Sequence, residues 1–455
     1  MLNIKTSLAI AVACVSAMSI SFANADKREL IGTEYTPWGA EMQGNSEGTI
    51  PAFGGPPPVP ASYDPAKPGV RPDPFADDKP LFSITPENMD QYADKLTEGL
   101  KEMFRKYPTF RMDIYPTRRT ASYPEFYLNN AKKNLDSCKT VNNGLGLTGC
   151  YAGTPFPFPK DGNEVLWNRF FKYEHHAIGS DGMHGIVVDR RGREIITGVA
   201  RQEFLWPIFD PNRTEPVGDK EFFQYQRVDY SEPARMNGER LVIQDSIDMV
   251  GTGRSAWQYL PGQRRVKLAP DIAYDSPSLL GAGIAVVDEL AIFYGATDRY
   301  DMNLQGKQEM FIPYNSYKLN DANQCSHSVA HTPNHLNPDC VRWELHRTWK
   351  VEANLKDGQR HIYPRRVMYL DEDLYGTGIS DNYDASGNIY RLTMSFPITL
   401  YEDVGHATDE TVTYDLATTA YHRSQATVEG GGYTIREPRP LRHFNPQSLS
   451  GGGIR

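Results

Sequence analysis

Residues 341–353 read Val-Arg-Trp-Glu-Leu-His-Arg-Thr-Trp-Lys-Val-Glu-Ala. Val341, Trp343, Leu345, Trp349, Val351 and Ala353 fall in one phase of a two-residue alternation, and Arg342, Glu344, His346, Thr348, Lys350 and Glu352 in the other. Successive side chains of a strand point to opposite faces, so the stretch predicts a long strand with one apolar and one charged face. One residue breaks the alternation. Arg347 sits in the apolar phase, where a cation needs a carboxylate partner or access to water or an anionic ligand. It reads either as an anchor for the carboxylate or phosphate of an amphiphile or as half of a buried ion pair.

Similar runs recur from about residue 165 onward. Short apolar and aromatic stretches fall at 170–178, 185–190, 194–204, 222–230, 241–250, 255–260, 265–268, 289–294, 307–312, 341–353, 362–370, 390–400 and 411–420. Turn residues separate them, and Asp189-Arg190-Arg191-Gly192 and Leu355-Lys356-Asp357-Gly358 read as hairpin turns. Helical patterns between these runs are few, and the chain carries 26 Tyr, 38 Gly and 33 Pro. The expectation is a mainly β (α+β) fold built on an antiparallel meander, not on βαβ units. Upstream, residues 26–84 are Pro- and Gly-rich and should form an extended arm anchored by Tyr35, Trp38, Phe53 and Tyr63. Thr85 caps a predicted helix with Pro86 at its first position; Met89, Tyr92, Ala93, Leu96, Leu100, Met103 and Phe104 share one face, and Pro108 stops it. The rest of 85–164 reads as loops packed on the main body, 165–428 as the sheet domain, and 429–455, with two Gly-Gly-Gly runs, as a flexible tail.

Residues 1–25 read as a secretory signal peptide: Lys5, an apolar run from Leu8 to Ile20, and Ala23-Asn24-Ala25 as a cleavage site. An uncleaved anchor and lipidation at Cys14 are the alternatives. No later segment approaches the length of a transmembrane helix, which predicts an exported protein of the periplasm. The formal charge of −9 argues against nucleic acid and anionic membrane surfaces as partners. Four further cysteines fall as two local pairs, Cys138 with Cys150 and Cys325 with Cys340. In an oxidising compartment they read as two disulfides, each stabilising by roughly 3 kcal/mol in the chain-entropy model. The second pair has a metal-site alternative, because His327, His331 and His335 lie between its thiols.

Catalytic signatures are sparse: there is no Gly-x-Ser-x-Gly elbow, His-Glu-x-x-His or phosphate loop. Gly144-x-Gly146-x-x-Gly149 has no strand before it or helix after it and reads as a turn in a disulfide loop. His175 and His176 are expected on opposite faces of a strand. Asp371-Glu372-Asp373 and Asp381-x-x-Asp384 are expected as solvated acidic turns, without the ligand spacing of a calcium loop.

Several stretches together resemble one exported family. Ser255 to Val266, Ser-Ala-Trp-Gln-Tyr-Leu-Pro-Gly-Gln-Arg-Arg-Val, is similar to a hairpin of LolA/LolB-like periplasmic proteins. Thr36-Pro37-Trp38-Gly39-Ala40 with Gly44-Asn45, Tyr115-Pro116-Thr117-Arg118-Arg119-Thr120, Gly306-Lys307-Gln308-Glu309-Met310 with Pro313-Tyr314-Asn315, and Glu344-Leu345-His346-Arg347 through His361-Ile362-Tyr363 to Tyr369-Leu370-Asp371-Glu372-Asp373 resemble the family called domain of unknown function 1329. The resemblance implies a large curved antiparallel sheet, an incomplete LolA/LolB-like barrel with helices at its mouth. It also implies an RND-type permease and an outer-membrane protein as companions. It supplies no catalytic residue and no cofactor.

The combined expectation is a non-enzymatic periplasmic carrier or chaperone for a hydrophobic or lipid-like molecule. Trp257, Tyr259, Trp343, Leu345, Arg347 and Trp349 are the candidate ligand contacts, and Arg264 and Arg265 the candidate partner rim. An exported hydrolase of a lipid, ester or glycan and a structural adaptor of an envelope complex are the alternatives. The interior of the sheet reads either as a cavity or as a filled core.

Overall fold

The computed structural model describes residues 27–407 and 410–450. The expected signal peptide, its cleavage after Ala25, and Cys14 lie outside the described residues, as does the end of the tail at 451–455.

Two meanders make the body. The first comprises β5 (Ala177–Val188), β6 (Glu194–Leu205), β7 (Phe222–Glu232), β8 (Arg240–Ser246), β9 (Arg254–Leu260) and β10 (Arg265–Leu268). The second comprises β11 (Tyr300–Pro313), β12 (Trp343–Leu355), β13 (Arg365–Asp371), β14 (Gly378–Tyr383), β15 (Ile389–Phe396), β16 (Glu410–Asp415) and β17 (Ala420–Ala426). They join where β17 pairs antiparallel with β5. Short strands β1 (Phe82–Ile84) and β2 (Met112–Ile114) attach beside β12, and β18 (Thr434–Ile435) attaches to β5, completing a 16-stranded sheet. Among the described residues no pairing joins β10 to β11, so the barrel stays open. A separate hairpin, β3 (Lys139–Val141) with β4 (Gly146–Thr148), is closed by the Cys138–Cys150 disulfide. The glycine motif is the turn and second strand of that hairpin.

The sheet bends strongly, and one helix shows by how much. Of the helices, α1 is Glu98–Lys106, α2 Glu125–Ser137 and α3 Gly162–Phe170. At the start of α3, Gly162 lies against Met302 and Val351 on β11 and β12, so close that a Cβ there would come within 2.8 Å of both. At its end, Phe170 packs on Phe223 of β7, with ring centroids 6.3 Å apart. Eight strand spacings separate β12 from β7, which in a flat sheet would be about 38 Å. A nine-residue helix spans only about 13 Å. The two meanders therefore curl around α3, as strand twist favours in a sheet this wide. α2 and α3 with Trp38, Tyr123 and Tyr127 fill that concavity, and a second cluster gathers α1, β1 and β2 with strands of the second meander.

Several local expectations change. The predicted helix breaks in two: Met89–Lys95 is a 3-10 turn, and α1 begins after Thr97, whose hydroxyl accepts from the Leu100 amide. The region read as loops contains α2 and α3. Asp161 caps α3 by accepting from the Glu164 amide, a capping signature ahead of Val165-Leu166-Trp167 that sequence reading could have used. α2 buries Tyr127, Asn130, Ala131 and Asn134. Its asparagines bond loop backbone, Asn134 to the carbonyls of Tyr151 and Thr154, so its inner face did not read as apolar. Residues 170–176 are helix end and irregular chain, with His175 in the left-handed region at φ 68°, and β5 takes up only the last two residues of the expected 170–178 strand. Residues 289–294 are not a strand. The tail is packed through residue 450: β18 pairs with β5, and Phe444 and Leu449 are buried against β5, β6 and β8. The arm crosses the body with Trp38 on Phe53 and Tyr123, and Tyr63 on Tyr401.

Candidate functional site

The alternation of β6 to β9 builds a floor. Gln202, Val228, Leu241 and Gln258 lie opposite one another in register across the four strands. Facing the same way are Tyr230, Ile243 and Ala256, and with Met183 and Leu280 they form a compact apolar cluster. Above this floor passes the excursion between β10 and β11. It is pinned where Asp288 meets Arg366 at 3.2 Å and His361 at 3.0 Å, and where Tyr294 donates its hydroxyl to Asp245 and Gln224, each at 3.0 Å. Between floor and roof lies a cleft of about 460 Å³, within the range of small-molecule sites. Its mouth is at the early roof, where Asp271 and Leu279 are exposed.

One wall of the cleft comes from β17, through His422, Ser424 and Gln425. Adjacent strand residues normally face opposite ways. Here a register shift between Arg423 and Ala426, with Gln425 at φ 58°, turns two neighbours inward. His422 is 1% exposed, and burial depresses its imidazole to about 4, so it is neutral at physiological pH. Its Nε2 and the Gln425 Oε1 are buried without a hydrogen-bond partner among the described residues.

None of the six ligand contacts expected from sequence lines this cleft. Trp257 and Tyr259 project from the other face of β9, onto the layer of Phe444 and Leu449; the residue between them, Gln258, faces the cleft. Shifting one position along a strand changes the face, and the apolar phase here belongs to the C-terminal cover. Trp343 and Leu345 are core residues, and the Trp349 indole donates to the Tyr375 hydroxyl at 3.1 Å. Arg347 resolves as an ion pair: it lies 3.4 Å from both Glu41 and Glu372 and donates to the Gln43 carbonyl. Arg264 and Arg265 are exposed at the open β9–β10 edge. Cys325 and Cys340 are joined, so their sulfurs are not free as ligands. His331 meets Glu194 at 2.6 Å, His327 stacks beside it, and His335 bonds Thr109 and the Leu336 carbonyl instead.

A second candidate is a buried knot of charge. Arg119 donates to both oxygens of Asp373, at 2.6 and 2.8 Å. Lys307 reaches Glu372 at 2.5 Å. His346 stacks on Tyr314 and lies between Glu344, at 3.1 Å, and Asp371, at 3.3 Å. Burial opposes charge on this imidazole, but Asp371 and Glu344 outweigh it and raise its pKa to about 9. Burial pushes Glu372 up to about 7 despite Lys307. The supposed solvated turn is therefore interior: Asp371, Glu372 and Asp373 are at most 1% exposed. Ligand atoms of His346, Asp371 and Asp373 lie within 4.8 Å of one another, yet Arg119 holds both oxygens of Asp373. An imidazolium and guanidinium already neutralise these acids. Asn45 joins the knot through Glu309, which lies opposite Arg347 in the β11–β12 register. Each of the four family-like stretches thus contributes to it.

A family model described as "Protein of unknown function (DUF1329)" matches residues 83–450. The chain belongs to the DUF1329 family. A relative, the uncharacterized protein PA3922 of Pseudomonas aeruginosa, is 34% identical over 449 residues, covering 98% of this chain and 97% of that one. Among solved structures, a putative outer membrane lipoprotein-sorting protein domain from Vibrio parahaemolyticus aligns with 63% of this chain and 97% of its own, at TM-score 0.42 and 14% identity. A DUF1329 family protein from Desulfovibrio piger aligns over the same shares at TM-score 0.41 and 12% identity. A LolA superfamily protein from Nitrosomonas europaea covers 63% of this chain and 98% of its own at TM-score 0.36 and 11% identity. No helix among the described residues of this DUF1329 protein is long and apolar enough to cross a membrane.

Proposed function

We propose that the chain is a periplasmic carrier or chaperone that shelters a hydrophobic or lipid-like molecule between the β6–β9 floor and the roof excursion. The observation that carries this reading is the cleft: Val228, Leu241, Ile243 and Leu280 offer apolar surface, and the mouth opens at Asp271 and Leu279. Filling such a space with an apolar guest removes from water surface that the folded chain leaves uncovered. The two disulfides fit an oxidising compartment. An RND-type permease and an outer-membrane protein are the proposed partners, with Arg264 and Arg265 on the open edge as the proposed partner contact. The charged knot is a support for the fold in this reading; its carboxylates and imidazole are interior and do not line the cleft.

Native mass spectrometry after gentle purification tests the proposal. A mass adduct of one apolar guest per chain is expected, with uptake of the neutral dye Nile red after the guest is extracted. Leu241→Trp, which fills the floor, should abolish both while the fold persists. No adduct and no dye uptake by the folded wild-type chain would end the carrier reading.

A further inference from the structure

The guest's chemistry can be narrowed, given the carrier reading, from the polar wall of the cleft. We infer that the cleft takes an uncharged amphiphile bearing a hydroxyl or amide group, which His422 and Gln425 hold by hydrogen bonds.

Three observations carry this. The first is the pair of orphaned atoms. His422 Nε2 and Gln425 Oε1 are buried, belong to residues lining the cleft, and find no partner among the described residues. Buried polar groups are ordinarily satisfied, and an exception at a cavity wall marks where something else supplies the bond. The second is the backbone that presents them. The β17 irregularity turns Gln425 to the cleft immediately after Ser424, at the cost of a left-handed backbone at a non-glycine residue. A strand that merely closed a core would not need this.

The third is charge. Among the described residues no lysine or arginine lines the cleft, and the one carboxylate that does, Asp271, sits at the mouth. Neighbouring Arg423 is engaged with Glu410 and does not line the space. Burial keeps the His422 imidazole neutral. A carboxylate or phosphate head would thus meet a carbonyl oxygen and an uncharged ring, with no cation to replace its water. A hydroxyl suits both atoms. Its one proton goes to Gln425 Oε1 while it accepts from His422 Nε2 in the tautomer protonated there, or goes to His422 Nε2 in the other tautomer. If the Gln425 amide is turned, the hydroxyl accepts from it instead. The apolar body then lies along Val228, Leu241 and Ile243.

Competition against Nile red with two probes of equal chain length, 1-dodecanol and dodecanoate at pH 7.5, tests the inference. The alcohol should displace the dye at a concentration about ten-fold lower than the acid, the size expected from one net hydrogen bond plus an unpaid desolvation. His422→Phe and Gln425→Met should each lose most of that preference, read as the ratio of the two competing concentrations within the same variant, whatever the variant's own affinity for Nile red. If dye binding is normal and the acid competes as well as the alcohol, or if both variants keep the wild-type preference, the inference fails while the carrier reading stands. If no probe or dye enters the folded wild-type protein, both fail together.

Discussion

Removing the Arg119 guanidinium should be among the costliest single changes in this protein. Its side chain is 1% exposed, as is that of Asp373, to which it makes two parallel charged hydrogen bonds. It also donates to the Glu41 carbonyl at 2.6 Å, tying the N-terminal arm to the knot. Arg119→Met fills similar space but strands the Asp373 carboxylate out of water. Breaking a buried pair from one side costs about 3–5 kcal/mol. Arg347→Met is the internal control. Glu372 would keep Lys307 and Arg119, and Glu41 is 39% exposed and can rehydrate, so the expected cost is about 2 kcal/mol or less. Urea unfolding followed by far-ultraviolet circular dichroism, with the disulfides intact, measures both. Adding Asp373→Leu to Arg119→Met should recover at least half of the loss, because the stranded charge is then gone. A cost for Arg119→Met below about 1 kcal/mol, or equal costs for the two arginines, would refute the account of the knot as a desolvated charge network.

Other outcomes follow from the same structure. Replacing Cys325 and Cys340 by serine should cost about 3 kcal/mol, given their separation of 15 residues, and thiol titration of the native protein should find neither cysteine free. Burial lowers His175 and His422 to about 4 and His331 to about 2. The unfolded chain then binds more protons than the folded one below pH 6.5, so stability falls as pH drops from there towards 4. His346 acts in the opposite sense: its stabilisation is complete below pH 6.5 and is lost as pH rises through about 9. His346→Gln should flatten that alkaline decline in the urea midpoint. Phe444→Ala should cost about 3 kcal/mol yet leave Nile red uptake unchanged, because Phe444 covers the face of β8 turned away from the cleft.

Strand β12 was legible because its alternation is broken at Arg347 alone, and β6, β7, β9 and β10 because aromatic and branched residues repeat between turns. The need of Arg347 for a partner was also legible; which partner was not. Glu372 is distant in sequence, as is Asp373 from Arg119, with a separation of 254, and no local pattern records such a pairing. The same limit made Asp371-Glu372-Asp373 look like a solvated turn. The cleft was missed for a different reason. Its floor uses the phase of β9 that contains Gln258, whereas Trp257 and Tyr259 gave the stronger apolar signal and pointed to the other face. Its wall, Tyr421-His422-Arg423-Ser424-Gln425, shows no apolar alternation because both sides of β17 are buried among polar partners. The register irregularity that turns Gln425 inward leaves no sequence mark of its own.

The seam at β5 sets an order on how the molecule can be completed. One margin of β5 is met at once by β6, its neighbour in the chain. The opposite margin is met only by residues of β17 and β18: Tyr421 to Ala426 along its later half and Thr434 and Ile435 along its earlier half. A polypeptide emerging from its N-terminus can therefore assemble six strands and still present a bare row of amide and carbonyl groups until residues 420–435 arrive. During that interval the half-made sheet is a template for any other extended chain. A chain cut before Ala420 would leave it so permanently, turning a truncation into a source of aggregation.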